Sequence, residues 1–189
     1  GNGDIGISII SGQGGGETGL LCFGHTDDVY AAGLEYLPAE NVLSLKTQQA
    51  DNYIRIATAN NVEAMRIDSS GRLVVGATAA IATVGGTGHS QVLGTGGGDS
   101  LLTIGRFSAN ASAPQINFAK SRNGTIGGNT IIQDDDSCGE INWCVSDGSD
   151  MLSYIAQIEA EVDGTPGSND TPGRLMFKTT ADGAAGATE

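Results

Sequence analysis

Aromatic side chains are scarce in this chain: only 5% of its 189 residues are Phe, Trp or Tyr, and Trp143 is the single tryptophan. Cations are scarce too, with nine Lys and Arg against 22 Asp and Glu and a formal net charge of −13. There is no Lys-rich or Arg-rich run, so the basic footprint that nucleic-acid binding needs is missing. The same deficit removes attraction to an anionic membrane surface. No apolar stretch approaches the roughly 20 residues of a spanning helix, so membrane insertion is not expected. No secretory signal pattern opens the chain.

Cysteine is limited to Cys22, Cys138 and Cys144. An odd number argues against a full disulfide framework, and neither C-x-x-C nor H-x-x-x-H occurs. The expectation is free, buried thiols made in a reducing cytosol. His25 and His89 lie in different segments and fit neither a serine-nucleophile nor a zinc pattern, so no catalytic residue and no cofactor is expected. Gly94-Thr95-Gly96-Gly97-Gly98 lacks the Lys-Ser/Thr and the helix of a phosphate loop, and reads as linker.

Glycine, by contrast, is abundant at 30 residues. It follows no strict triplet period, which excludes collagen. Such a chain turns often, packs thin layers of small side chains, and is poorly equipped to bury one large core alone. Apolar residues alternate with polar or small ones along short runs. Examples are Ile5-Gly6-Ile7-Ser8-Ile9, Leu21 and Phe23, Leu34 and Tyr36, Leu43 and Leu45, Ile54 and Ile56, and Met65 and Ile67. The pattern continues at Ile116 and Phe118, at Ile141, Trp143 and Val145, and at Leu175 and Phe177. Each run is bounded by Gly, Asn, Asp or Ser, which predicts an all-β chain of short antiparallel strands joined by tight turns. One face of each strand should be buried and the other wet. Met151 to Val162 fits both a period-two and a helical spacing, and the strand reading is preferred because its neighbours are strands.

The runs recur in two repeated modules. The first covers residues 1–76. A Gly/Thr/Ala-rich linker or stalk covers 77–98. The second module covers 99–189 and is expected to be truncated at its C-terminal end. Gly19–Phe23 aligns with Pro114–Phe118, Gly33–Tyr36 with Gly139–Trp143, and Val42–Thr47 with Arg174–Thr179.

Among residues with chemical potential, Asp134, Asp135 and Asp136 are the weak Ca²⁺ candidates, with Asp27-Asp28 beside them; the competing reading is a solvated acidic loop. Residues 163–170 carry oxygen ligands without EF-hand spacing and read as a long turn. Glu159 and Glu161 share one strand face at a spacing compatible with glycan hydrolysis, but aromatic sugar platforms are few. Tyr30, Tyr36, Tyr53, Tyr154 and Trp143 are expected to pack in a core or about an oligomer axis.

Met65-Arg66-Ile67-Asp68-Ser69-Ser70-Gly71-Arg72-Leu73-Val74-Val75-Gly76 resembles a recurrent signature of tailed-bacteriophage tail-fibre and tail-spike modules. Phe23–Asp28 with Gly33–Tyr36, and the stretch from Ile158 through Arg174 into Phe177–Gly183, resemble other fibre segments. The resemblance implies an elongated, intertwined homotrimer on a virion, assembled in the host cytoplasm. It implies a structural shaft or knob that supports host attachment, and other tail-fibre or baseplate proteins as partners. Alternatives are a tip module that binds a host-surface glycan or protein, or a glycan-degrading spike. The C-terminal intramolecular chaperone of many relatives is not present in these residues, so no cleavage residue is carried over. The encoded protein is expected to continue past Glu189.

Overall fold

The computed structural model describes residues 19–25, 28–37, 39–48, 50–184 and 186–188. The expected strand at Ile5 to Ile9 and the acidic Asp27 lie outside the described residues, as do the side chains of His25, Asp28 and Tyr30. Among the described residues there is no α-helix, and ten strands form three sheets. The chain divides into two compact units. The first takes in the described residues up to Ala80 together with His89–Leu101; the second takes in Ile81–Gly88 and the described residues from Leu102 onward.

In the first unit, β1 (Gly19–His25), β2 (Asp28–Leu37) and β3 (Val42–Thr47) form an antiparallel meander in that order. Its cross-strand rows are Gly19, Tyr36 and Leu43, then Leu21, Leu34 and Leu45, then Phe23, Ala32 and Thr47. Because side chains alternate along a strand, these rows occupy one face. The opposite face carries Glu35 and Lys46, which form an ion pair.

The second sheet of this unit contains β4 (Ile54–Thr58), β5 (Val62–Ile67), β6 (Leu73–Val75) and β7 (Ser90–Val92). The first three are antiparallel, and β7 runs parallel to β6. Ile56, Met65, Val75 and Val92 share one row, flanked by Ile54, Ile67 and Leu73. Arg55, Arg66, Val74 and Gln91 form the row of the other face. Thus part of the expected linker, Ser90–Val92, is a strand. Its short alternation sits among glycines, and only a parallel ladder to β6 reveals its role.

The fibre-like motif supplies the β5–β6 hairpin. Asp68 Oδ1 accepts the N–H groups of Ser70 at 2.9 Å and Arg72 at 3.0 Å, and Oδ2 accepts Arg72 Nε at 2.7 Å. Those donors hold the Asp68 carboxyl below its usual range, the backbone N–H of Arg72 first. Gly71 takes the left-handed conformation, with φ +75°, that closes the turn. Gly76, at φ +82°, sits where an added Cβ would lie 2.1 Å from the Leu93 carbonyl oxygen. That glycine lets the ends of β6 and β7 approach.

In the second unit, β8 (Ser137–Val145), β9 (Ser153–Val162) and β10 (Gly173–Thr179) form another antiparallel meander with β9 in the middle. The ambiguous Met151–Val162 segment is therefore largely a strand, held by ladders on both sides. Its rows are Gly139, Ala160 and Leu175, then Ile141, Ile158 and Phe177, then Trp143, Ala156 and Thr179. These repeat the rows of the β1–β2–β3 sheet position for position. Even the irregularity after Phe23 in β1 recurs after Trp143 in β8. The register thus aligns Leu34-Glu35-Tyr36 with Ile158-Glu159-Ala160 in the central strands, rather than with β8. It also aligns Gly19–Phe23 with Gly139–Trp143, rather than with Pro114–Phe118.

Ile116 and Phe118, expected in a strand, have no ladder among the described residues. Their alternation is real, but the chain supplies no hydrogen-bonding neighbour beside them. In each unit the strands among the described residues pack chiefly against their neighbours within one sheet. Among the described residues only Val74, Val162 and Met176 are buried large apolar side chains.

Gly71→Ala is predicted to cost about 1–2 kcal/mol, because the site has room and only the left-handed backbone is penalised. Gly76→Ala adds a clash with Leu93 and is predicted to cost about 3 kcal/mol or more. Chemical denaturation of the two variants in parallel checks the order.

Candidate functional site

The three sheets share one asymmetry, which follows from side-chain chemistry. On the polar faces, long Arg, Lys, Glu and Gln chains lie along the sheet and cover it with their methylene stems. Arg66 forms two hydrogen bonds to Glu63 and stacks 4.1 Å from the Tyr53 ring centroid, and Val74 shares that face, fully buried. In the second unit Lys178 Nζ lies 2.6 Å from Glu159, and Arg174 bonds Glu161 across the strands. Glu159 and Gln157 are buried by this packing. Cys22 is exposed and Cys138 and Cys144 are half-buried; all three are free. The expected burial of these thiols is thus not met, because short side chains on these strands are not covered by a second layer.

The apolar faces are open. Leu21, Phe23, Leu34, Tyr36, Leu43 and Leu45 are all exposed on the first meander. Ile141, Trp143, Leu175 and Phe177 are exposed at the matching face of the second. Ile56, Ile67 and Val92 are exposed on the four-stranded sheet.

On the second meander the open face carries a groove. Phe118 crosses it at Gly139, where an added Cβ would lie 2.8 Å from Phe118 Cβ, so only glycine admits the crossing. The groove has a volume of about 390 Å³ and is lined chiefly by Ile116, Phe118, Ile141, Ile158, Ala160 and Leu175.

The acidic run does not converge on one point. Asp136 receives Arg122 through two 2.8 Å bonds and the Gln133 N–H at 2.8 Å. Asp135 faces Arg174 at 2.9 Å, and Asp134 accepts the Gly164 N–H at 2.6 Å. Arg174 also reaches Asp163 at 2.9 Å, so these carboxylates bind the β9–β10 loop to the strand ends. Among the described residues no three His, Cys, Asp or Glu side chains lie close enough to share a metal ion. Residues 163–172 form a long turn with a small bridge between Gly167 and Asp170.

Glu159 and Glu161 do share a face, each with its own cation. Lys178 is the main cause holding Glu159 below the usual carboxyl range. A general acid needs the opposite shift. Tyr36 and Trp143 lie on the open faces, and Tyr53 sits under Arg66. No protein-family model matches this chain, and no curated protein matches it.

A chain poorly equipped to bury one large core was expected from its composition, and among the described residues the apolar faces are largely exposed. Alternation says that a face is greasy but not what lies over it. The glycine at 139 was the local signal of a close crossing.

Asp136 is held down to about 2, first by the Arg122 bond, then by the Gln133 N–H. Its folded value lies below its unfolded one, so its stabilisation is complete above about pH 4 and is lost as pH falls through about 2. A carbon-detected NMR titration should place the Asp136 midpoint near 2 in the wild type, rising toward the ordinary aspartate value in Arg122→Ala. An unshifted midpoint in the wild type would contradict the clamp.

Proposed function

We propose that this chain is a structural segment of a bacteriophage tail fibre, three copies of which close into a shaft or knob supporting host attachment. The observation that carries the reading is the open apolar face repeated on every sheet. A three-stranded ribbon with one bare greasy face does not exclude water by itself. Copies arranged about an axis bury these faces against one another and cover the sheet edges. Burying the rest of each half-exposed Leu, Ile or Phe gains about 1 kcal/mol, so a handful per sheet per copy suffices for stable association.

The matched registers of the two meanders support one module used twice in the fibre. The fibre-like motif agrees, since Asp68, Gly71 and Gly76 all serve the hairpin geometry and leave the arginine face outward. The excess of acidic residues keeps such a particle soluble. The ion-paired state of Glu159 and Glu161 favours a structural role over a glycan-degrading one.

Leu45 and Phe177 are 59% and 66% exposed in the single chain. Leu45→Asp and Phe177→Asp therefore leave an isolated chain nearly unaffected, but place an unpaired carboxylate in a closed interface at a cost of several kcal/mol. Sedimentation is expected to give a mass three times that of the chain for the wild type, with association weakened by about 1,000-fold in either variant. A folded wild-type monomer, or variants that assemble normally, would overturn the proposal.

A further inference from the structure

The stretch Leu102–Lys120 differs from the rest of the second unit. Every residue in it is exposed. No main-chain group in it bonds to another main-chain group among the described residues, and its one main-chain hydrogen bond runs from the Ser112 N–H to Asn110 Oδ1 at 3.1 Å. Extended backbone without partners is rare in folded proteins, because each N–H and C=O group needs one. The side chains are not those of a solvated loop: Leu102, Ile104 and Phe107 are exposed, Phe107 at 102%, while Ile116 and Phe118 line the groove beside Gly139 of the same chain.

Charge sets the stretch apart again. It holds Arg106 and Lys120 and no acidic residue, in a chain with 22 Asp and Glu against nine Lys and Arg. Arg106 bonds only Asn110, at 3.2 Å, and neither cation joins an ion pair among the described residues. The other cations of this unit, Arg122, Arg174 and Lys178, each hold a carboxylate.

We infer that Leu102–Lys120 is an arm that docks on a second copy of this chain, pairing its backbone there, with Leu102, Ile104 and Phe107 entering the groove that Ile116 and Phe118 of that copy enclose against its own β8–β10 face. The inference rests on the assembly proposed above and names the segment that makes it. The groove's volume of about 390 Å³ suits two or three large side chains, and its walls are Ile116 and Phe118 on one side and Ile141, Ile158 and Leu175 on the other. A second copy thus offers what the arm lacks: apolar walls and strand edges.

The test is amide exchange followed by mass spectrometry on the purified native protein, with its mass in solution measured on the same sample, and with Phe107→Asp in parallel. The expected result is an oligomer whose 102–120 peptides exchange at least about 100-fold more slowly than unstructured peptide. In Phe107→Asp the oligomer should dissociate at about 100-fold higher concentration, while peptides of β9 keep their protection. An oligomer with a fast-exchanging arm, or one indifferent to Phe107→Asp, overturns the arm and leaves the fibre reading standing. A folded monomer overturns both, whatever the arm's exchange.

Discussion

The constraint on which the rest of this structure depends is a mismatch between the two faces of each sheet. The polar faces are finished inside one chain. Arg66, Arg174, Lys46 and Lys178 lie down on their carboxylates and seal the strands beneath them. The apolar faces are not finished: among the described residues each meander is a single layer, and only Ile116 and Phe118 lie over part of the second. Hydrophobic burial is the dominant favourable term in folding. A chain that orders this much backbone while leaving Leu, Ile, Phe and Trp side chains wet has its balance incomplete until something covers them.

That constraint organises features that otherwise look unrelated. The two meanders keep the same rows of cross-strand partners on their open faces although their connecting turns differ in length. The Glu35–Lys46 pair recurs as Glu159–Lys178 at the same diagonal of the register. Diagonal pairs of this kind lock a strand against slipping by one residue, a slip that would turn the greasy face over. The acidic run Asp134–Asp136 serves similar ends, fastening a loop to the strand ends through Arg122 and Arg174 rather than gathering a cation.

Much of this was legible in the sequence. Period-two alternation located nearly every strand, including the one between Ser153 and Val162 that also fitted a helical spacing. Two physical facts stayed hidden. Alternation reports which side chains share a face, but a strand also needs a neighbour, and Ile116 to Phe118 has none among the described residues. Composition alone made residues 77–98 look like linker, whereas Ser90–Val92 is held by a parallel ladder to β6 that short-range pattern does not encode. The matching of the two meanders needed the register: Glu35 and Glu159 hold the same place through their cross-strand partners, not through similarity of neighbouring letters.

Trp143 offers a direct reading of the central claim, since it is the sole tryptophan and stands on the open face of the second meander, 46% exposed in the single chain. Its emission maximum and its quenching by acrylamide should be recorded on the native protein. Covered faces predict a blue-shifted spectrum and quenching well below that of free indole, both reverting when the assembly is dissociated. A red-shifted, freely quenched tryptophan in a protein that retains its β-sheet circular dichroism would contradict the account.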